Sequence, residues 1–208
     1  MSSTDRTRGS VGRPSLAESR REQMLTAIAQ CVGRFGLAAS TQDVMARESG
    51  FSRPLLRHYL GNREEIIDAL WDFLMQPYQQ KMDAALSVGD PDDRLPRLLD
   101  FFFGPEMDRQ PQDAAIGALF NSAHEYPALQ AKVDLTYRGI ETQIAKQLQA
   151  MGDGVPTEEA EGVAFSILSL ALGASDLSDF SFPPDRRAAA RAAAVTLASR
   201  LLDGRAFS

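Results

Sequence analysis

Cysteine is almost absent: Cys31 is the only one in 208 residues. That excludes an intrachain disulfide and makes a reducing cytoplasm the natural setting, with Cys31 itself read as a small core residue. Histidine is nearly as scarce, with His58 and His124 alone. No spacing of His, Cys and acidic residues matches a metal-ligand set. Cys31 has no neighbouring His, and adjacent His124 and Glu125 point in different directions on a helix. No catalytic residue, no metal and no cofactor is therefore expected, and the chain does not read as an enzyme. No run of about 18 apolar residues occurs, so neither a spanning helix nor a membrane partner is expected. Residues 1–15 lack the apolar segment of a secretory signal. No segment reads as a strand, and no internal repeat stands out. What remains is a helical chain, 44% hydrophobic, long enough for a sizeable core and two domains.

Lysine is missing from residues 1–63, where ten Arg face five acidic residues, a formal +5. Residues 64–208 carry 12 basic and 23 acidic side chains, a formal −11, and the two parts make the −6 of the whole. A basic segment ahead of an acidic body is the asymmetry a nucleic-acid reader needs. The acidic part is repelled by DNA, which favours one docking orientation.

The basic segment centres on residues 40–59, STQDVMARESGFSRPLLRHY. The pattern predicts two short helices joined by a tight turn. Ser40 as N-cap puts Asp43 at the third position, favourable at the positive end of the helix dipole. Gly50 takes the left-handed conformation that a sharp stop requires. Phe51 follows as a buried turn residue. Ser52 caps the second helix, and Pro54 is tolerated in its first turn. Leu55, Leu56, Tyr59 and Leu60 share one side, while Arg53, Pro54, Arg57 and His58 occupy the other. Those exposed donors suit phosphates and base edges in a DNA major groove. Ahead of this unit, residues 16–35 predict a helix whose apolar face is Leu25, Ile28, Ala29, Val32 and Phe35, ended by Gly36. Arg20 and Arg21 near its start are either solvated or within reach of phosphate. Residues 1–15, with Arg6, Arg8 and Arg13, read as a disordered basic arm, for which a solvated tail and a minor-groove contact are both open.

From Arg21 to Ile66 the chain resembles the DNA-binding domain of the TetR family of bacterial transcriptional regulators. The resemblance rests on Arg21, Met24-Leu25, Ala29, Phe35-Gly36, Ser40-Thr41, Met45-Ala46, Gly50-Phe51-Ser52, Leu56 to Leu60 and Arg63-Glu64-Glu65-Ile66. It departs at Arg57, where the family usually has Tyr, at Leu60 for Phe and at Arg63 for Lys. Both cations remain able to touch phosphate. The resemblance covers about the first third of the chain. It implies an all-α protein, with a three-helix helix-turn-helix domain over 16–63 and a helical ligand-binding and dimerisation domain over 64–208. It also implies DNA contacts from Ser40, Thr41, Gln42, Ser52, Arg53, Pro54, Arg57, His58, Tyr59 and Arg63. For Tyr59, core packing and phosphate contact are both open.

Past the reader, Asn62-Arg63-Glu64-Glu65 signals the start of a long helix to about Leu86, with Pro77 expected to kink it. A loop spans Val88–Asp93, and further helices are expected over 94–103, 112–125, 127–151, 157–177 (capped by Thr157) and from Pro183-Pro184 to about Asp203, closed by Gly204. Gly152-Asp153-Gly154 reads as a helix stop. Phe101-Phe102-Phe103 cannot all point one way on a helix, so at least one is expected to face away from the first contact surface. An apolar cavity between helices is expected to draw on Trp71, Met75, Phe101, Phe103 and Met107, and on Phe120, His124, Tyr126, Tyr137 and Phe165. The last two helices mix small and apolar residues. Packed against a second copy, with Ile167, Leu170, Ala171 and Ala174 meeting Ala190, Ala194, Leu197 and Leu201, they would form a four-helix homodimer interface, although intramolecular packing also fits. The expected function is a ligand-responsive regulator, most simply a repressor. Its homodimer would bind a near-palindromic double-stranded DNA operator and be released by a small apolar or amphipathic effector. The alternative is a helical partner-binding protein without sequence-specific DNA binding.

Overall fold

The structure is a computed structural model describing residues 16–87, 90, 93–107, 110–152, 154–178, 180–183 and 185–203. The basic arm of residues 1–15, most of the 88–93 loop, Asp153, Pro184 and Gly204 lie outside the described residues. Every regular element among those described is helical. In chain order they are α1 (Leu16–Ala39), α2 (Gln42–Ser49), α3 (Arg53–Leu60), α4 (Arg63–Ser87), α5 (Arg94–Phe103), α6 (Asp113–Ser122), α7 (Pro127–Met151), α8 (Thr157–Leu177) and α9 (Asp185–Leu202). One-turn 3-10 helices at Pro105–Met107 and Ala123–Glu125 flank α6.

Two hydrophobic clusters hold these helices. The first joins Met24, Leu25, Ile28 and Val32 of α1 to Met45 of α2, Leu56 and Leu60 of α3, and Ile66, Leu70 and Leu74 of α4. It continues without a break into Ala115 and Leu119 of α6 and Leu129 and Val133 of α7. The reader is thus packed directly on the helices that follow it, and the core does not stop at residue 63. The second cluster gathers α5 and the distal parts of α4 and α7 with α8 and α9. Side chains of this size stabilise by roughly 1.5–3 kcal/mol each when fully buried.

Several local details differ from the sequence pattern. Gly36 breaks α1 with φ 77° and ψ 163°. That bend swings Leu37 into the core and leaves Phe35 39% exposed, so Phe35 is not part of the buried face. Thr41, not Ser40, caps α2, its hydroxyl accepting from the Val44 amide at 3.3 Å. The shift of one residue removes Asp43 from the capping-box position. The cap of α8 is Pro156, and the Thr157 hydroxyl instead accepts from Gln149 Nε2 at 3.1 Å. All three phenylalanines of α5 are buried, because α4, α7, α8 and α9 all pack on that helix and leave only the side of Pro96 and Asp100 exposed.

Other features follow the local chemistry. Gly50 ends α2 with φ 72°, and Ser52 caps α3 by accepting from the Leu55 amide at 3.3 Å. At the start of α4, Asn62 Oδ1 accepts from the amides of Glu64 and Glu65 at 2.9 and 3.1 Å. Glu65 returns the contact, accepting from the Asn62 amide at 2.6 Å, a complete capping box. Pro77 lies inside α4, where it deletes one backbone bond. By length and composition α8 is apolar enough to cross a membrane, contrary to the expectation from apolar runs, and 33% of that stretch is buried in the chain. Its acids sit near the two ends, and the Ala, Gly and Ser residues between them keep the middle uncharged without forming an unbroken run of large apolar side chains.

Candidate functional site

The exposed side of the reader is built from capped helix ends. Arg53 donates to both Asp43 oxygens, at 3.1 and 3.4 Å, which sets the first turn of α3 beside the first turn of α2. Thr41, Ser52, Arg53 and Pro54 are all exposed around that junction. The N-terminal ends of two helices therefore lie close together on an exposed surface, and each such end is suited to phosphate oxygens. Further along α3, Arg57 and His58 are exposed, with the His58 ring edge-on to Tyr59 at 5.1 Å. Tyr59 is half-buried against the first cluster, and its carbonyl accepts from Arg21 at 2.9 Å. Gln42 is half-buried, its amide directed to the Gly61 carbonyl at 3.5 Å.

Two of the residues assigned to DNA from sequence are placed otherwise. Ser40 is fully buried: its hydroxyl donates to the Gly36 carbonyl at 2.7 Å and accepts from Cys31 Sγ at 3.6 Å. Arg63 is half-buried and turned inward. Its guanidinium donates to the Ser40 carbonyl, to the Leu37 carbonyl at 2.7 Å and to the Tyr126 hydroxyl at 3.3 Å. With those bonds it braces the α1–α2 corner and is turned away from the exposed face of α3.

In the following helices a cavity of about 390 Å³ opens between α4, α5, α6, α7 and α8, within the size range of small-molecule sites. Met75, Phe101, Met107, Phe120 and Tyr137 line it. Trp71, Phe103, His124, Tyr126 and Phe165 do not. Trp71 is buried in the first cluster and donates to the Thr136 hydroxyl at 3.1 Å, while Phe103 packs in the second. The His124 side chain is 74% exposed, Tyr126 is engaged by Arg63, and Phe165 points outward from α8 with 61% exposure. The residues that sequence reasoning missed include the polar ones: Tyr78, Asp113, Asn121, Ser175 and Asp176.

Tyr78 donates to Asp113 Oδ1 at 2.5 Å, and the other Asp113 oxygen accepts from the Gln110 amide at 2.7 Å. Burial first, then the hydrogen bond to Asp113 and its charge, push the Tyr78 phenol well above its ordinary range. Tyr137 is pushed up to about 12 by burial and by the nearby Asp176 charge. Both phenols are neutral at physiological pH. Among the described residues no group of three His, Cys, Asp or Glu is arranged to hold a metal ion.

The far side of α6 faces the reader. Ala115, Leu119 and Ala123 belong to the first cluster, one helical face at i, i+4, i+8. A Cβ at Gly33 of α1 would lie 3.3 Å from Ala114 Cβ and 3.3 Å from the Ala115 amide nitrogen. Only the missing side chain allows α1 this close. Residues Ile116, Gly117, Phe120 and Asn121 on the adjacent side of α6 line the cavity. Below, Lys132 of α7 bonds Asp68 at 2.8 Å and Asp72 at 2.6 Å on α4. Burial alone would lower the Lys132 pKa, but the two carboxylates outweigh it and raise it.

Of the residues set at a dimer face, Ile167, Ala171, Ala194 and Leu201 are buried within the chain, and Ala171 lines the cavity. Leu170, Ala174, Ala190 and Leu197 are half-buried. The outward side of α8 and α9 carries Phe165, Leu177 and Val195 instead. A helix this rich in Ala and Leu has two apolar faces, and spacing alone does not say which one turns inward.

No family model matches the chain. The HTH-type transcriptional regulator BetI of Rhizobium meliloti (strain 1021) is 24% identical over 146 residues, 70% of either chain. Among solved structures, a TetR transcription regulator from Haloarcula marismortui superposes with a TM-score of 0.73 at 19% identity, over 88% of this chain and 98% of that one. A TetR-like transcriptional regulator from Rhodococcus sp. RHA1 gives 0.70 at 21% identity, over 92% and 100%. A protein described as a transcriptional regulator from Saccharomonospora viridis, in complex with choline, gives 0.67 at 15% identity, over 87% and 96%. A capped helix-turn-helix, a long connecting α4 and a helical body superposing on these proteins over nearly their whole length give the chain the fold of the TetR family of transcriptional regulators.

Proposed function

We propose that the chain is a ligand-responsive transcriptional regulator. Residues 16–63 read DNA and residues 64–208 bind effector and a second copy. The homodimer sets two α3 helices about 34 Å apart, one turn of DNA, so the operator is near-palindromic. An apolar or amphipathic effector releases it, as in a repressor. The observation that carries this reading is the position of α6, which lines the cavity on one side and packs on α1 of the reader on the other. An effector that favours one placement of α6 biases one placement of α1 and α3. Only that difference in affinity between the two states is needed. This puts the coupling at α6 rather than at Pro77 alone. The exposed Arg57 and His58, the two helix N-termini and the +5 charge of residues 1–63 support the DNA role.

The test is selection of bound fragments from the source genome by purified protein, followed by a salt titration on the best fragment. Recovery of one near-palindrome, with affinity falling steeply in log salt, is expected. Arg57→Ala should lower operator affinity roughly tenfold with an unchanged melting temperature, the discrimination one good base or phosphate contact carries. Arg53→Ala should cost less, because Asp43 already engages that side chain. Binding no better than random DNA would remove the regulator reading.

A further inference from the structure

The cavity has an electrostatic character that an apolar effector does not explain. Two carboxylates, Asp113 and Asp176, line it, and among the described lining residues there is no Lys, Arg or His. Charge in a partly desolvated site is costly unless it is paired. Asp113 receives the Tyr78 hydroxyl and the Gln110 amide, both neutral donors, so its negative charge is hydrogen-bonded but not neutralised. Because Tyr78 spends its proton on Asp113, its oxygen presents only lone pairs to a ligand. Asp176, at the α8 wall, lies close enough to Tyr137 to perturb it.

Around these acids the walls are aromatic. Phe101 and Phe102 stand with ring centroids 5.1 Å apart, and Phe120 meets Tyr137 edge-on at 5.6 Å. Ring faces attract cations and exclude anions. Met75, Met107 and Ile140 supply an apolar remainder.

Resting on the cavity being the effector site, we propose that its ligand is an organic cation, an alkylammonium with an apolar body, seated among these aromatic rings with Asp113 and Asp176 as counter-charges. An anionic effector is excluded by the same two residues.

The experiment is calorimetric titration of the full chain with benzyltrimethylammonium, with neutral benzyl alcohol and with benzoate, without DNA. Saturable binding of the ammonium, at least tenfold tighter than the alcohol, and no binding of benzoate are expected. Asp176→Asn should weaken the ammonium roughly tenfold and leave the alcohol unchanged; the residue is exposed, so the fold is not at risk. Asp113→Asn should act likewise. Equal affinity for the ammonium and the alcohol, or an unchanged ammonium affinity in Asp176→Asn, would overturn the proposal and leave the regulator reading standing. Ammonium binding that never alters operator affinity would uphold the ligand class and remove the switch.

Discussion

Arg63 donates to the Tyr126 hydroxyl at 3.3 Å, and that bond ties the first residue of α4 to the cap of α7. The same guanidinium holds the carbonyls of Leu37 and Ser40. One side chain thus joins the corner between α1 and α2 to the helices that follow the reader. Arg63→Ala should lower unfolding stability by about 1–3 kcal/mol, since it orphans the Ser40 carbonyl and leaves that of Leu37 with the Ser40 amide alone. Tyr126→Phe should cost only about 0.5–1.5 kcal/mol. Urea unfolding of both variants checks this, and equal midpoints for wild type and Arg63→Ala would show that the brace contributes nothing.

Gly33 governs the closest approach of α1 to α6. A methyl group there meets Ala114 and the Ala115 backbone at 3.3 Å, tighter than ordinary contact. Gly33→Ala should spread the two helices by a few tenths of an ångström and cost about 1–2 kcal/mol by overpacking. In the regulator proposed above, it should also shift operator affinity without touching a DNA-facing residue. Fluorescence anisotropy on the operator and thermal unfolding report the two effects separately. Unfolding stability equal to wild type would mean that the contact is slack.

Tyr137 makes a prediction at high pH. Its phenol is raised from 10.0 to about 12. A raised pKa on a group that ionises to an anion means that the native state holds its proton while the unfolded chain releases it. The contribution is fully present below pH 10 and is lost between pH 10 and about 12. Its size is at most on the order of 2–3 kcal/mol, from about 1.4 per unit. Tyr78 and Lys132 are both raised and act in the same direction. Tyr137→Phe should therefore flatten the fall in stability across this window without abolishing it. A slope identical to wild type would remove Tyr137 as a contributor.

Phe165 stands 61% exposed on the outward side of α8. If that side meets a second copy, Phe165→Asp should convert a dimer to a monomer in sedimentation velocity and weaken operator binding. The chain's own stability should change by less than about 0.5 kcal/mol, as the ring packs on little within the chain. An unaltered sedimentation coefficient would place the contact elsewhere.

What could be read from sequence was the part governed by neighbours in the chain. Gly50, Ser52, Pro54 and the Asn62–Glu65 box set local backbone geometry through bonds spanning three or four residues, and each appears in the structure as the pattern implies. Ser40 and Thr41 are chemically near-equivalent caps, so a one-residue ambiguity was unavoidable until Ser40 was seen buried beneath Gly36 and Cys31. The inward turn of Arg63 depends on carbonyls 23 and 26 residues away, which no local pattern encodes. The cavity fared similarly. Met75, Phe101, Met107, Phe120 and Tyr137 stand out as large side chains, but Asp113, in the first turn of α6, and Asp176, near the end of α8, carry no local signal of a cavity. Their shared wall exists only once α6 and α8 are brought together.

The two sides of α6 bear on how such a protein can change over time. The side meeting α1 is restricted to small residues beside a glycine, so it tolerates little variation. The adjacent positions Phe120 and Asn121 line the cavity and are no part of the core shared with α1, so they are freer to vary in size and polarity. A helix about 10 Å across thus separates what is recognised from what is transmitted. Specificity for a new compound can be acquired by exchanging residues on one flank while the output of the other is preserved.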